Sequence, residues 1–128
     1  PDIVHEIIGH AQMLAAPVFA DLHQAAGAAS RRCETDEALE FFSKVFWFTL
    51  EFGVLYEGGE LRAYGAGLLS SYGEIDVYRD AEVRSWDIAQ MGTLDYDITH
   101  YQPILFAAES YDRMVADLTA YFDAVPVL

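Results

Sequence analysis

His5-Glu6-Ile7-Ile8-Gly9-His10 places two imidazoles around a carboxylate, residue types that together bind divalent transition metals. A zinc-protease helix sets its histidines four apart, about 40° round the axis, whereas five apart on a regular helix is roughly 140°. Both reach one ion only if the turn is widened, and Gly9, directly before His10, offers backbone latitude for a bulge of the π type. Without that bulge they are ordinary helix residues, one facing the core and one facing water. Glu51 is the third candidate. It lies within Phe46-Trp47-Phe48-Thr49-Leu50-Glu51-Phe52-Gly53, where a carboxylate is expected to be partly buried and to need a cation or strong hydrogen bonds. The nearest base in sequence, Lys44, is two helical turns away, so a metal ion is a candidate partner. Two histidines and a carboxylate on one face of an ion, a facial triad, leave positions open for O2 and substrate, as in non-haem Fe(II) oxygenases. A zinc hydrolase with Glu6 as base uses the same residue types. The aromatic surroundings of Glu51, with Trp47 as the stacking candidate, favour iron and a planar substrate.

These residues must be positioned by helices and one irregular stretch. Apolar residues are dense from Ile3 to about Ala15, and Pro17 stops or restarts that helix. A second helical run covers Val18 to Ala29 and fades near Gly27. Thr35 caps a third, with Asp36 and Glu37 in its first turn; apolar spacing carries it through Phe41, Val45, Phe48, Phe52 and Leu55 to an end at Gly58-Gly59. Leu61 to Tyr64 reads as a short strand. Gly65-Ala66-Gly67 reads as a turn needing unusual backbone angles, and it lacks the third glycine of a dinucleotide loop. Residues 68–99 give little pattern. Tyr101 to Ala107 reads as a strand, placed at a sheet edge by Pro103. Ser110 caps a last helix with Tyr111, Met114, Val115, Leu118 and Phe122 on one stripe. The expected fold is mostly α (α+β), with a small sheet, in a single domain over residues 1–128.

Composition narrows the partners. The 128 residues carry 7 basic and 21 acidic side chains, a net charge of −14, with 53% hydrophobic residues, enough for a core. Such a charge, with the few arginines scattered, disfavours nucleic acid and anionic membranes. A lone cysteine, Cys33, excludes an internal disulfide, and with no basic-then-apolar opening run a cytoplasmic location is expected. Cys33 receives no role, His23 and His100 read as surface or hydrogen-bonded histidines, with His100, next to Tyr101-Gln102-Pro103, also a candidate to line the site, and Glu74 and Asp76 read as solvated or as supporting groups.

Four ordered blocks carry a resemblance: Pro1 to His10 (Pro-Asp-Ile-Val-His-Glu-Ile-Ile-Gly-His); Trp47-Phe48-Thr49-Leu50-Glu51-Phe52-Gly53; Tyr64-Gly65-Ala66-Gly67-Leu68-Leu69-Ser70-Ser71; and Tyr101-Gln102-Pro103 with Ala108-Glu109-Ser110. Together they closely resemble the pterin-dependent aromatic amino acid hydroxylases, the phenylalanine hydroxylase family, over the iron-bearing half of the catalytic domain. The resemblance implies that His5, His10 and Glu51 ligate Fe(II). It places Pro1, Trp47 and Phe52 in the aromatic pocket, Gly67 and Ser70 on the loop beside substrate and iron, and Glu6 near a tetrahydrobiopterin cofactor. Asp2 and Ser70 then support the site from behind, Ser70 by holding an iron-ligating histidine. The implied chemistry is hydroxylation of an aromatic substrate with O2 and two electrons from tetrahydropterin. The alternatives are a metal-binding homologue without hydroxylase activity, or a site completed across an oligomer interface. The family's pterin-stacking aromatic, and the arginine and threonine that anchor the amino acid, belong to the preceding half and are not among these residues. Phe46 stands where the family usually has tyrosine. An apolar face normally covered by that half leads to the expectation of a homo-oligomer.

Overall fold

Pro17 opens a helix, the position where its missing N–H costs nothing. The computed structural model describes residues 17–71, 73–96 and 101–125. The helix expected from Ile3, and the bulge at residues 5–10, lie outside them. Helix α1 spans Pro17–Arg32, passing through Gly27 and ending three residues beyond Ala29. Arg31 and Arg32 sit in its last turn, where cations suit the helix dipole. The Arg32 guanidinium also donates to the Val125 carbonyl at 2.8 Å and to that of Phe122, closing the far end of the chain onto α1. Arg32→Met, which keeps the aliphatic stem, is expected to cost ~1–2 kcal/mol of stability, measured by denaturant unfolding.

Helix α2, Asp36–Phe46, begins as expected: Thr35 Oγ1 accepts from the Ala38 N–H at 3.1 Å. It does not run on to Gly58-Gly59. A π-helical turn, Trp47–Glu51, follows it, and Leu55 belongs to strand β1, Val54–Glu57. Gly58 and Gly59, with φ of 59° and 82°, form the two-residue turn of a hairpin to β2, Glu60–Ala63. Two successive positive φ angles match the right-handed twist of paired strands, so the glycine pair marks a hairpin and not a helix end.

The remaining elements are short. Helix α3 is Ala66–Leu69, α4 is Glu74–Val77 leading into a 3-10 turn at Tyr78–Asp80, β3 is Glu82–Ser85 and α5 is Ile88–Met91. Strand β4, Ile104–Ala108, leads to helix α6, Tyr111–Ala124, whose cap Ser110 accepts from the Arg113 N–H at 3.1 Å. The outcome is mostly helical with one four-stranded sheet, in the order β2-β1-β4-β3. β4 is therefore an inner strand, parallel to both neighbours, and its expected edge position is wrong. Pro103 immediately precedes the strand, where its missing donor breaks no ladder bond, and its carbonyl accepts from the Glu82 N–H at 2.8 Å.

Strand alternation explains the layers. Phe106 and Ala108 of β4, with Leu55 of β1, face a large core shared with α1, α2 and α6, where Val45, Phe48, Met114, Leu118 and Phe122 are buried. Leu105 and Ala107, with Val54, face a smaller core with Leu68 of α3 and Tyr78. A strand covered on both faces has no polar positions, which is why residues 104–108 read as a continuous apolar run.

Candidate functional site

The site is built where α2 changes pitch. The Phe52 N–H donates to the Trp47 carbonyl at 2.9 Å, five residues back, and widens the turn. Thr49, fully buried, donates its hydroxyl to the Val45 carbonyl at 2.7 Å and so occupies an acceptor inside the altered ladder. Gly53 then ends the helix, its amide reaching the Thr49 carbonyl at 2.8 Å. A Cβ at Gly53 would lie 2.4 Å from that same carbonyl and 2.2 Å from the Tyr64 ring, so only glycine fits. The widened turn, which also carries Glu51, sets the rings of Trp47 and Phe52 side by side. The Trp47 and Phe52 ring centroids are 4.5 Å apart, and Tyr96 stacks on Trp47 at 4.2 Å and 10°.

Glu51 is half-buried on this turn. Lys44 is engaged elsewhere, with Asp95 at 2.8 Å and Glu40 at 3.2 Å, and those two carboxylates hold its pKa above the usual lysine value. The glycine loop closes the opposite side of Glu51. Its expected strained backbone is not observed: Gly65 has φ −69° and ψ 139°, and the only positive-φ residues described are Gly58 and Gly59. The glycines are required by contact instead. A Cβ on Gly65 would fall 2.4 Å from the Glu51 carbonyl oxygen; one on Gly67 would fall 2.7 Å from the Phe52 ring and 2.9 Å from that oxygen. Ser70, at the end of α3, donates to the Ala66 carbonyl at 2.8 Å.

The structure thus brings together Glu51, Trp47, Phe52, Gly67 and the elements carrying them, with Ser70 one helical turn beyond Gly67. Pro1, Asp2, His5, Glu6, His10 and His100 lie outside the described residues. No group of three histidine, cysteine, aspartate or glutamate side chains suited to a metal occurs among the described residues. The His23 Nδ1–H donates to the Phe19 carbonyl at 2.8 Å, a structural bond within α1. No helix among the described residues is long and apolar enough to cross a membrane.

Two buried polar groups escape a sequence reading. Glu74, expected to be solvated or supporting, is only 5% exposed, and its carboxylate accepts from the Gln102 N–H. Burial raises its pKa above the ordinary 4.5, opposed by that hydrogen bond. The native protein therefore holds this proton more tightly than the unfolded chain. The resulting stability is fully present below pH 4.5 and is lost as pH rises through the raised native value. Glu74→Gln does not titrate, so its stability relative to wild type should grow across that window in denaturant titrations at successive pH values. Tyr64 is the second group. Its hydroxyl is buried with no hydrogen-bond partner among the described residues, and burial pushes its pKa up. Tyr64→Phe should raise stability by ~1 kcal/mol in thermal unfolding, because an unpaired buried hydroxyl costs more than the ring edge replacing it.

Against known proteins, the family model for biopterin-dependent aromatic amino acid hydroxylase matches residues 1–126. A phenylalanine 3-hydroxylase of Streptomyces coeruleorubidus is 49% identical over 123 residues, covering 96% of this chain and 44% of that protein. A tyrosine 3-monooxygenase of Rattus norvegicus is 46% identical over 123 residues, 94% of this chain and 24% of that protein. Among solved structures, Chromobacterium violaceum phenylalanine hydroxylase with bound iron(III) and 7,8-dihydrobiopterin superposes with a TM-score of 0.82 at 29% identity. That match covers 95% of this chain and 46% of the other. The chain spans less than half the length of these relatives.

Proposed function

Since this chain belongs to the biopterin-dependent aromatic amino acid hydroxylases, we propose that it is the iron-bearing half of a non-haem Fe(II) monooxygenase acting on an aromatic amino acid. His5, His10 and Glu51 are the proposed ligands. The observation that carries the reading is Glu51 itself: a half-buried carboxylate on a widened turn, with an aromatic wall beside it and its backbone wedged against Gly65 and Gly67. A carboxylate so held, with imidazoles as the other donors, fits a divalent iron ion. An Fe(II) ion held there would supply O2 activation for ring hydroxylation, with tetrahydrobiopterin as the two-electron reductant.

This chain's residues do the positioning. His5, His10 and Glu51 would hold the ion, and a donor set of two imidazoles and one carboxylate leaves coordination positions for O2 and substrate. Trp47 and Phe52 offer flat apolar surfaces that orient a planar ring and exclude water. Gly67 lets the loop close against the Phe52 ring without a side chain intruding. Pro1 completes the proposed pocket, Glu6 lies on the pterin side, and Asp2 and Ser70 support the ligands. The 128 residues act as a single domain in this reading, at work in the cytoplasm. Exposed Leu69, Val77 and Tyr101 suit self-association.

The second reading is a metal-binding homologue without hydroxylase activity, or one that completes its site across an oligomer interface. Metal analysis after purification without oxygen, with turnover of phenylalanine, tyrosine or tryptophan plus added tetrahydropterin, separates the two. Stoichiometric iron with hydroxylated product supports the first reading; metal without product supports the second; zinc in place of iron overturns the first, and absence of metal overturns both.

A further inference from the structure

The polar groups around Trp47 form a chain that the ligand set does not explain. The Trp47 indole N–H donates to Gln102 Oε1 at 3.0 Å, across 55 positions of sequence. Gln102 is itself 5% exposed, and its backbone N–H donates to the carboxylate of Glu74. Glu74 begins α4, and the neighbouring Gly73 packs so closely beneath Tyr101 that a Cβ there would lie 1.9 Å from the Tyr101 hydroxyl. α4 and residues 101–103 are thus held together by contact and by a buried carboxyl acceptor. Burying a carboxylate is costly, and an apolar residue of similar size would fill the space without that cost. What the carboxylate adds is direction: it fixes the Gln102 backbone, and with it the angle at which the amide meets the indole.

We infer that Glu74 is a positioning residue that acts through Gln102 to set the direction of the Trp47 indole N–H, and so the orientation of the ring, at the mouth of the aromatic pocket. Tyr96, stacked on Trp47, restrains the tilt of the ring, whereas the indole hydrogen bond restrains its orientation within that plane, so the stacking does not do this alone. The inference rests on the proposed role of Trp47 as a pocket wall, but the geometry it describes exists without substrate.

The test uses the full chain carrying Trp86→Phe, which leaves Trp47 as the sole tryptophan and touches nothing placed in the site. In that background Glu74→Gln retains an acceptor, Glu74→Met retains volume without one, and Gln102→Met keeps its own N–H while removing the indole's partner. The readouts are Trp47 emission, its quenching by acrylamide, and its perturbation by L-phenylalanine in the iron-loaded protein. Glu74→Met and Gln102→Met should produce the same change in Trp47 emission, the double variant should add nothing further, and Glu74→Gln should match the parent. Half-saturation by L-phenylalanine should rise about tenfold in Glu74→Met with iron content unchanged, the loss of one oriented hydrogen bond. Should Glu74→Met fail to fold, Glu74→Gln and Gln102→Met decide alone: parent-like and shifted spectra support the inference. A parent-like spectrum for Glu74→Met, or a shifted one for Glu74→Gln, overturns it. If L-phenylalanine leaves Trp47 unperturbed in the parent, the pocket reading fails, while the ligand-free spectra still decide the role of Glu74.

Discussion

Glu51→Ala is expected to abolish stoichiometric iron binding, weakening affinity by more than about a hundredfold, and to abolish aromatic hydroxylation with it. Changes behind metal ligands already cost tenfold to a hundredfold, and removing a ligand outright also removes the one negative charge of the proposed triad. The fold should survive. The Glu51 side chain is half-buried and on the open side of its turn, while the turn is held from behind by Thr49, Gly53 and the buried Phe48 and Leu50. Metal analysis and circular dichroism on the same sample check both statements: unfolded protein or retained iron would each contradict the assignment.

Gly65→Ala should have the largest effect on stability, about 3 kcal/mol, through steric conflict with backbone. The added methyl would stand 2.4 Å from the Glu51 carbonyl oxygen and 2.6 Å from the Gly53 amide nitrogen. A flexible side chain could swing away; a main chain pinned by the Phe52 and Gly53 hydrogen bonds cannot move without shifting the proposed ligand. Iron affinity should therefore fall along with stability. Gly27→Ala serves as the control. It lies inside α1, its new methyl meets only Arg31 Nη1 at 3.7 Å, and it should stabilise the helix by ~0.5–1 kcal/mol. Chemical denaturation of both variants gives the two changes with opposite sign.

How much of this could be read from the chain alone depends on which residues carried local signals. Thr35 and Ser110 announced their helices because capping is a contact over three residues. The apolar stripe of α6 was equally legible. The pitch change at Trp47 was not, since its apolar spacing continues unbroken into β1 and only a glycine at 53 marks the break. Gly58-Gly59 was taken for a helix end because helix caps and hairpin turns ask for the same left-handed backbone. The error at β4 has a related source. Pro103 excludes a position within a ladder, but one residue before the strand it excludes nothing. At the site, the partly buried Glu51 followed from its aromatic neighbours, whereas Glu74 sits among residues 68–99, where short turns leave no periodicity. Its hydrogen-bond donor, the Gln102 N–H, lies 28 positions away. The reason for Gly65 and Gly67 was likewise tertiary: space, not torsion.

The inner position of β4 also sets the order in which this protein can be made. β1 pairs with β4 through Val54–Ala107 and Leu55–Ala108, partners about fifty residues apart. As the chain leaves the ribosome, the π turn and hairpin emerge long before the strand that covers them, and until then Phe48 and Leu55 have no partner in Phe106 or Ala108. Closing such distant contacts is slow, and an uncovered strand edge is prone to association with other chains. Synthesis rate and chaperone supply should therefore govern the yield of soluble protein more strongly than the stability of the finished fold.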